Sequence, residues 1–118
     1  MPVIISTCAF ALCLLLLPAF GQTGSSWTKT FLCKENTITI NRDAAGTYHF
    51  QSTGRMQVDR LSGGSMTLNK GVPVYQFNDS DRQYWLWDGS ENNPPYGSLE
   101  FYENDSLVLQ LECARQPS

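Results

Sequence analysis

The sequence predicts an α+β fold, an antiparallel β-sheet carrying one short helix, with an all-β sheet as the alternative. Three observations lead there. Apolar residues alternate with polar ones along several short stretches, the period of a strand with one face in a core. One segment, "NRDAAGTYHFQSTG", carries helix-boundary signals. The chain is 118 residues long, which is the size of a single domain.

The first segment stands outside that domain. "IISTCAFALCLLLLPAFG" is an apolar run ending in small and turn-forming residues, and Ala19 and Gly21 fit a cleavage site. Residues 1–21 therefore read as a secretory signal cut before Gln22, and residues 22–118 as the mature domain. Pro18 and the short strongly apolar run argue against a membrane anchor. No second hydrophobic stretch follows, so a soluble, secreted protein is expected.

Cys8 and Cys13 leave with the leader, and Cys33 and Cys113 remain, one near each end of the mature chain. In an oxidising secretory route two cysteines most simply form one disulfide. Two distant cysteines and a single histidine do not make a ligand set, so no metal and no cofactor is expected.

Along the mature chain, "TFLCKENTITI" alternates from Thr37, with Ile38 and Ile40 on one side, and reads as an N-terminal β-hairpin. In the next segment Asn41 is a good N-cap, Asp43 falls in a first turn and Gly54 is a stop. Ala44, Ala45, Tyr48 and Ser52 share a helical stripe. Gly46 and the alternation of "TYHFQ" oppose this, and the balance is set at a short helix over residues 41–53. "GRMQVDRLSGGSMTLNKG" suggests short strands joined by turns. "VPVYQF" is a strand with its proline at an edge or start. "QYWLWDG" is apolar on both faces, Tyr84 and Leu86 on one and Trp85 and Trp87 on the other, as in a doubly covered strand.

The closing stretch, "GSLEFYENDSLVLQLEC", is a hairpin whose register can be deduced. Leu99 and Phe101 meet Leu111 and Leu109 only if paired positions sum to an even number. A two-residue loop at Asn104-Asp105 would break that match, so an odd loop, of three residues with a bulge, is expected.

Charge is mildly acidic, −3 overall, and uneven. Lys29 to Lys70 holds six basic and three acidic side chains, and Gly71 to Ser118 holds two basic and eight acidic ones. The plain reading is solvated surface; the sharper one is a basic patch of Lys34, Arg42, Arg55 and Arg60 holding RNA phosphates. Nucleophilic catalysis would need a serine or cysteine beside a base, and the two mature cysteines are expected to be oxidised. The carboxylates Asp79, Asp81, Glu100 and Glu103 form no specific pattern. Asn78 and Asn104 each open an "NDS" sequon, which permits N-glycosylation.

The order of these segments, with the closing stretch, "VPVYQF" and "QYWLWDG", resembles the small fungal guanyl-preferring ribonucleases. More closely still, the chain resembles the ribonuclease-like secreted effectors of powdery mildew fungi. Leader, mature length, the aromatic-x-Cys motif Phe31-Leu32-Cys33 and the late Cys113 carry that likeness. It implies one helix packed on a central antiparallel sheet, and a catalytic set of a glutamate, two histidines and an arginine. Those positions fall at Val74, Trp85 or Leu86, Ser98, and Leu109 or Gln110. None of these can shuttle a proton or carry charge, and the single histidine, His49, lies elsewhere.

The resemblance therefore implies an effector that is not an enzyme and works by binding. Its partners would be host plant proteins, among them an intracellular nucleotide-binding leucine-rich-repeat immune receptor, after delivery into the plant cell. Tyr75, Trp85 and Trp87 are candidates for the contact face, and Ser62–Lys70 and Ser90–Gly97 for recognition loops. Protein contact is favoured over RNA because the C-terminal half is acidic, and the expected state is a monomer. The alternatives are an RNA-binding module without cleavage, an enzyme using carboxylates alone, and a disulfide-pinned β-sandwich effector without the helix.

Overall fold

The computed structural model describes residues 25–56, 60–90 and 96–117. It contains eight strands: β1 (Trp27–Cys33), β2 (Asn36–Arg42), β3 (Tyr48–Thr53), β4 (Arg60–Asn69), β5 (Val72–Asp79), β6 (Arg82–Trp87), β7 (Tyr96–Glu103) and β8 (Ser106–Arg115). Each runs antiparallel to the next, and β8 returns to β1, so the sheet closes into an up-and-down barrel. The leader expected over residues 1–21 lies outside the described residues.

Two-residue turns set this meander. Lys34-Glu35, Lys70-Gly71, Ser80-Asp81 and Asn104-Asp105 each separate directly paired strand ends. Lys34, Lys70, Gly71, Ser80, Asn104 and Asp105 have φ between 50° and 82°, the left-handed region that lets a tight turn follow the twist of its strands.

The α+β expectation, and with it the ribonuclease-like fold, is overturned, because no helix occurs among the described residues. The segment over residues 41–53 finishes β2, makes a short loop and forms β3. Asp43, expected in a first helical turn, instead caps the loop: its Oδ1 accepts from the amides of Ala45 and Thr47, both at 3.0 Å. Gly46 sits at φ +90°, outside helical space. From Tyr48 the strand alternation prevails, placing Phe50 and Ser52 inside and Gln51 and Thr53 outside.

The closing hairpin keeps the expected register, with Leu99 opposite Leu111 and Phe101 opposite Leu109. The three-residue loop is corrected, however. The turn is the two-residue Asn104-Asp105, and a bulge in β8, where Val108 is the extra residue opposite the Phe101–Tyr102 step, restores the parity. The bulge was foreseen and its position was not.

Phe31, Ile38, Ile40, Phe50, Phe77, Tyr84, Leu86 and Leu99 fill the barrel, as expected where eight strands enclose a space just wide enough for side chains. The rings of Phe50, Phe77, Tyr84 and Phe101 pack with centroids 5.0–5.5 Å apart. Gly64 faces inward where a Cβ would strike the Phe77 ring. The seam between β1 and β8 is the shortest ladder, three residue pairs against eight between β7 and β8. Its last pair is Cys33 and Cys113, joined by a disulfide and buried in the core.

A polar cluster spans the same seam. Asp88, with 2% of its side chain exposed, accepts from Lys29 Nζ of β1 at 2.8 Å and from Arg115 Nη1 of β8 at 3.1 Å. A buried carboxylate requires such partners. Lys29 Nζ also donates to the Tyr75 hydroxyl at 3.0 Å and lies over the Trp27 and Tyr75 rings. Burial pulls the Lys29 pKa down, but Asp88 and Tyr75 outweigh it and the net direction is up. Burial pushes the phenols of Tyr75 and Tyr84 up as well. A group whose pKa rises on folding stabilises the fold below its unfolded pKa and loses that contribution as pH climbs through the folded value. All three groups have unfolded values of about 10 to 10.4. The urea midpoint is therefore expected to hold between about pH 8 and 9.5 and to fall above about pH 10. Tyr84→Phe should make the fall shallower; an unchanged slope in that variant would refute the assignment.

Candidate binding face

Because the interior is filled, function must be sought on the outside. Strand β6 supplies the framework, since turning Tyr84 and Leu86 into the core obliges Trp85 and Trp87 to face outward. The register across β5 to β8 then lays three rows on the outer surface. Trp87, Ser98 and Glu112 form the first, continued in β5 by the buried Val74, and Gln76, Trp85, Glu100 and Gln110 form the second. Asn78, Gln83, Tyr102 and Leu107 form the third. No lysine or arginine stands in these rows.

Glu100 is the hub. Its Oε1 accepts from Trp87 Nε1 at 3.0 Å and from the Tyr102 hydroxyl at 2.9 Å, and its Oε2 accepts from Gln110 Nε2 at 3.3 Å. Trp85 donates to Gln83 Oε1 at 3.1 Å, and its ring lies 5.2 Å from that of Tyr102. Burial first, and the Glu100 carboxylate second, raise the Tyr102 pKa, so the phenol stays protonated as a donor. These bonds hold three aromatic side chains in fixed orientations, which lowers the entropy lost when a partner docks. Beside the rows lies an open groove of about 880 Å³ whose lining includes Trp87, Tyr96, Ser98, Gln110, Asn69 and Lys70. The face offers ring surfaces, amides and carboxylates, which is binding chemistry.

Of the aromatics expected at a contact face, Trp85 and Trp87 are therefore on it, half-buried, while Tyr75 is inside the barrel. Phe31 and Cys33 point into the core and Leu32 points out, 42% exposed. The four candidate phosphate cations are dispersed. Lys34 is in the β1–β2 turn, and Arg55 pairs with Glu35 near it. Arg42, at the far end of β2, donates to the Ser25 carbonyl at 2.9 Å. Arg60 opens β4 and lines a second groove, beside His49. They do not form one stripe.

Asn78 and Asn104 are both exposed, one late in β5 and one in the last turn. Ser62–Lys70, expected as a loop, is strand β4 up to Asn69, with Met66 and Leu68 exposed on its projecting half. Within Ser90–Gly97, residues 91–95 lie outside the described residues. Of the positions carried over from the ribonucleases, Leu86 is in the core, and Trp85, Ser98 and Gln110 stand in the outer rows. No helix among the described residues is long and apolar enough to cross a membrane.

Sequence reasoning missed two clusters. One is the Lys29–Asp88–Arg115 group, which joins residues from both chain ends. The other surrounds His49, whose Nε2 lies 2.9 Å from Asp43 Oδ2 and whose Nδ1 lies 2.9 Å from Ser62 Oγ. Only the antiparallel pairing of β3 with β4 brings Ser62 to His49, so no local motif signals it.

Fold and face together define a disulfide-closed, side-chain-filled β-barrel with its contact surface outside. No family model matches the chain, and no curated protein or solved structure matches it either.

Proposed function

We propose that this chain is a secreted binding protein of the effector type, which acts by docking its outer aromatic face against a protein of a plant host. The observation that carries the reading is the Trp85–Trp87–Tyr102 surface, with Trp87 and Tyr102 held by Glu100 and Trp85 by Gln83, on a barrel with a filled interior. Aromatic side chains held rigidly at the centre of a polar rim are the usual anchors of a protein interface. Carboxylates and amides without cations favour a neutral or basic partner surface and disfavour phosphate. The secretory leader, the mature length and the Phe31-Leu32-Cys33 motif with Cys113 support the effector setting, and recognition by an intracellular immune receptor belongs to the same reading. The ribonuclease scaffold forms no part of it. The all-β, disulfide-pinned effector weighed as an alternative comes nearer, as a barrel in place of a sandwich.

The test is to recover partners of the tagged protein from host plant cells and to measure the affinity of the recovered protein for variants. Trp87→Ala is expected to weaken binding by at least about 30-fold, the loss of a 2 kcal/mol anchor. Arg42→Ala and Arg60→Ala should change it little. Equal binding by the Trp87 variant would overturn the reading. So would a salt-steep complex with single-stranded RNA that the arginine variants abolish.

A further inference from the structure

On the other side of the barrel, the geometry points to Asp43, His49 and Ser62 as an acyl-transfer centre in which Ser62 Oγ is a nucleophile toward small carboxylic esters. The arrangement stands independently of the binding face, since its residues come from β3, β4 and the loop between β2 and β3.

Each part follows from local structure. Asp43 divides its two oxygens: Oδ1 is held by the Ala45 and Thr47 amides, which leaves Oδ2 aimed at His49 Nε2. The bond to His49, foremost, and the amides hold the Asp43 carboxyl below the ordinary carboxylate range, so it is an ionised acceptor. An acceptor-only carboxylate on Nε2 fixes the neutral imidazole tautomer with its proton there. Nδ1 is then the lone pair, and the Ser62 hydroxyl donates to it across 2.9 Å. The serine is thus beside a base in the tautomer that can take its proton, and the base is oriented by a third group.

Access is also built in. The pairing slips between Tyr48 and His49, so that Gly63 is an extra residue with no opposite partner, at φ +80°. A Cβ there would meet nothing within 4 Å, so the approach beside Ser62 is open. Bulges of this kind re-aim side chains and recur beside reactive sites. Arg60, two residues before Ser62 on the same strand face, lines the adjoining groove of about 520 Å³ with Asn41, Gln51 and Thr39. It supplies positive charge for an oxyanion, and the hydroxyl and amide lining suits a polar alcohol portion. His49 and Asp43 keep 36% and 41% of their side chains exposed, so the site is shallow and takes small esters.

In the reaction, Ser62 Oγ forms a bond to the ester carbonyl carbon while its proton passes to His49 Nδ1. The carbon–oxygen bond to the alcohol breaks, and the leaving alkoxide takes that proton. Water then repeats the sequence on the acyl-serine, releasing the acid and restoring the hydroxyl.

The test uses the secreted, oxidised protein and a fluorophosphonate probe, whose phosphorus–fluorine bond breaks as a serine oxygen attacks. Intact mass and peptide mapping should show one adduct, on Ser62, and none in Ser62→Ala. Loss of the base in His49→Gln should slow labelling about 100-fold, with an unchanged circular dichroism spectrum. Turnover of p-nitrophenyl acetate should fall in parallel. No adduct, an adduct elsewhere, or equal labelling in His49→Gln would overturn the proposal.

Discussion

Replacing Cys33 and Cys113 together by alanine is expected to lower the melting temperature by roughly 20–35 °C. The bond spans a sequence separation of 80, and by chain entropy its removal returns about 4.5 kcal/mol of freedom to the unfolded state. A domain of this size shifts by about 4–8 °C per kcal/mol. The barrel cannot redistribute the loss, because only three residue pairs hold β8 to β1. Both cysteines are also buried, so alanine leaves unfilled volume in the core. Thermal unfolding followed by circular dichroism measures this directly. A drop below about 5 °C would mean that the seam, with the Lys29–Asp88–Arg115 cluster across it, holds without the bond.

Gly97→Ala is the second large effect, about 3 kcal/mol of destabilisation. Gly97 is the second residue of β7, opposite Cys113, and a Cβ there would collide with the Trp87 carbonyl oxygen and approach the Gly89 amide to 2.8 Å. Both are backbone atoms, so no rotamer change relieves the overlap and β6 must move away from β7. Trp87 lies at that junction, so the variant should lose partner binding along with stability. A urea titration measures the first effect and the affinity assay the second. Gly71→Ala offers a contrast: its Cβ meets nothing within 4 Å, and only the cost of φ +82° applies. If the two variants were equally stable, the close approach of β6 to β7 would be wrong.

How far the sequence could be read depended on the range of the interactions. The alternation of Tyr84 and Leu86 with Trp85 and Trp87 is local, and it put the two pairs on opposite faces without saying which pair fills the core; the strand is covered on one face and not on both as expected. The pairing of Leu99 with Leu111 followed from parity, and the two mature cysteines left one pairing to consider. The helix failed for an identifiable reason. Asn41, Asp43 and Gly54 are spaced as helix boundaries, but the same residue types serve turns, and Asp43 uses its oxygens to close a loop. Closure was illegible because it rests on three pairs between the ends of the chain. His49, Asp43 and Ser62 looked unrelated for the same reason: six and thirteen residues separate the partners, and a bulge sets the final aim.

The burial of the Cys33–Cys113 disulfide has a consequence wherever the protein meets free thiols. A thiol can reduce a disulfide only by reaching one of its sulfurs in line. Cys33 and Cys113 are 0% and 1% exposed, so glutathione meets neither while the barrel stays shut. In a reducing cytosol the lifetime of the bond is then set by how often the seam opens, a property of the fold rather than of the thiol pool. The same burial works in reverse during synthesis. Cys113 follows Cys33 by 80 positions, so the bond cannot close until the seven strands after β1 have been made. Oxidation therefore accompanies closure of the barrel, which then carries its reducible bond sealed inside.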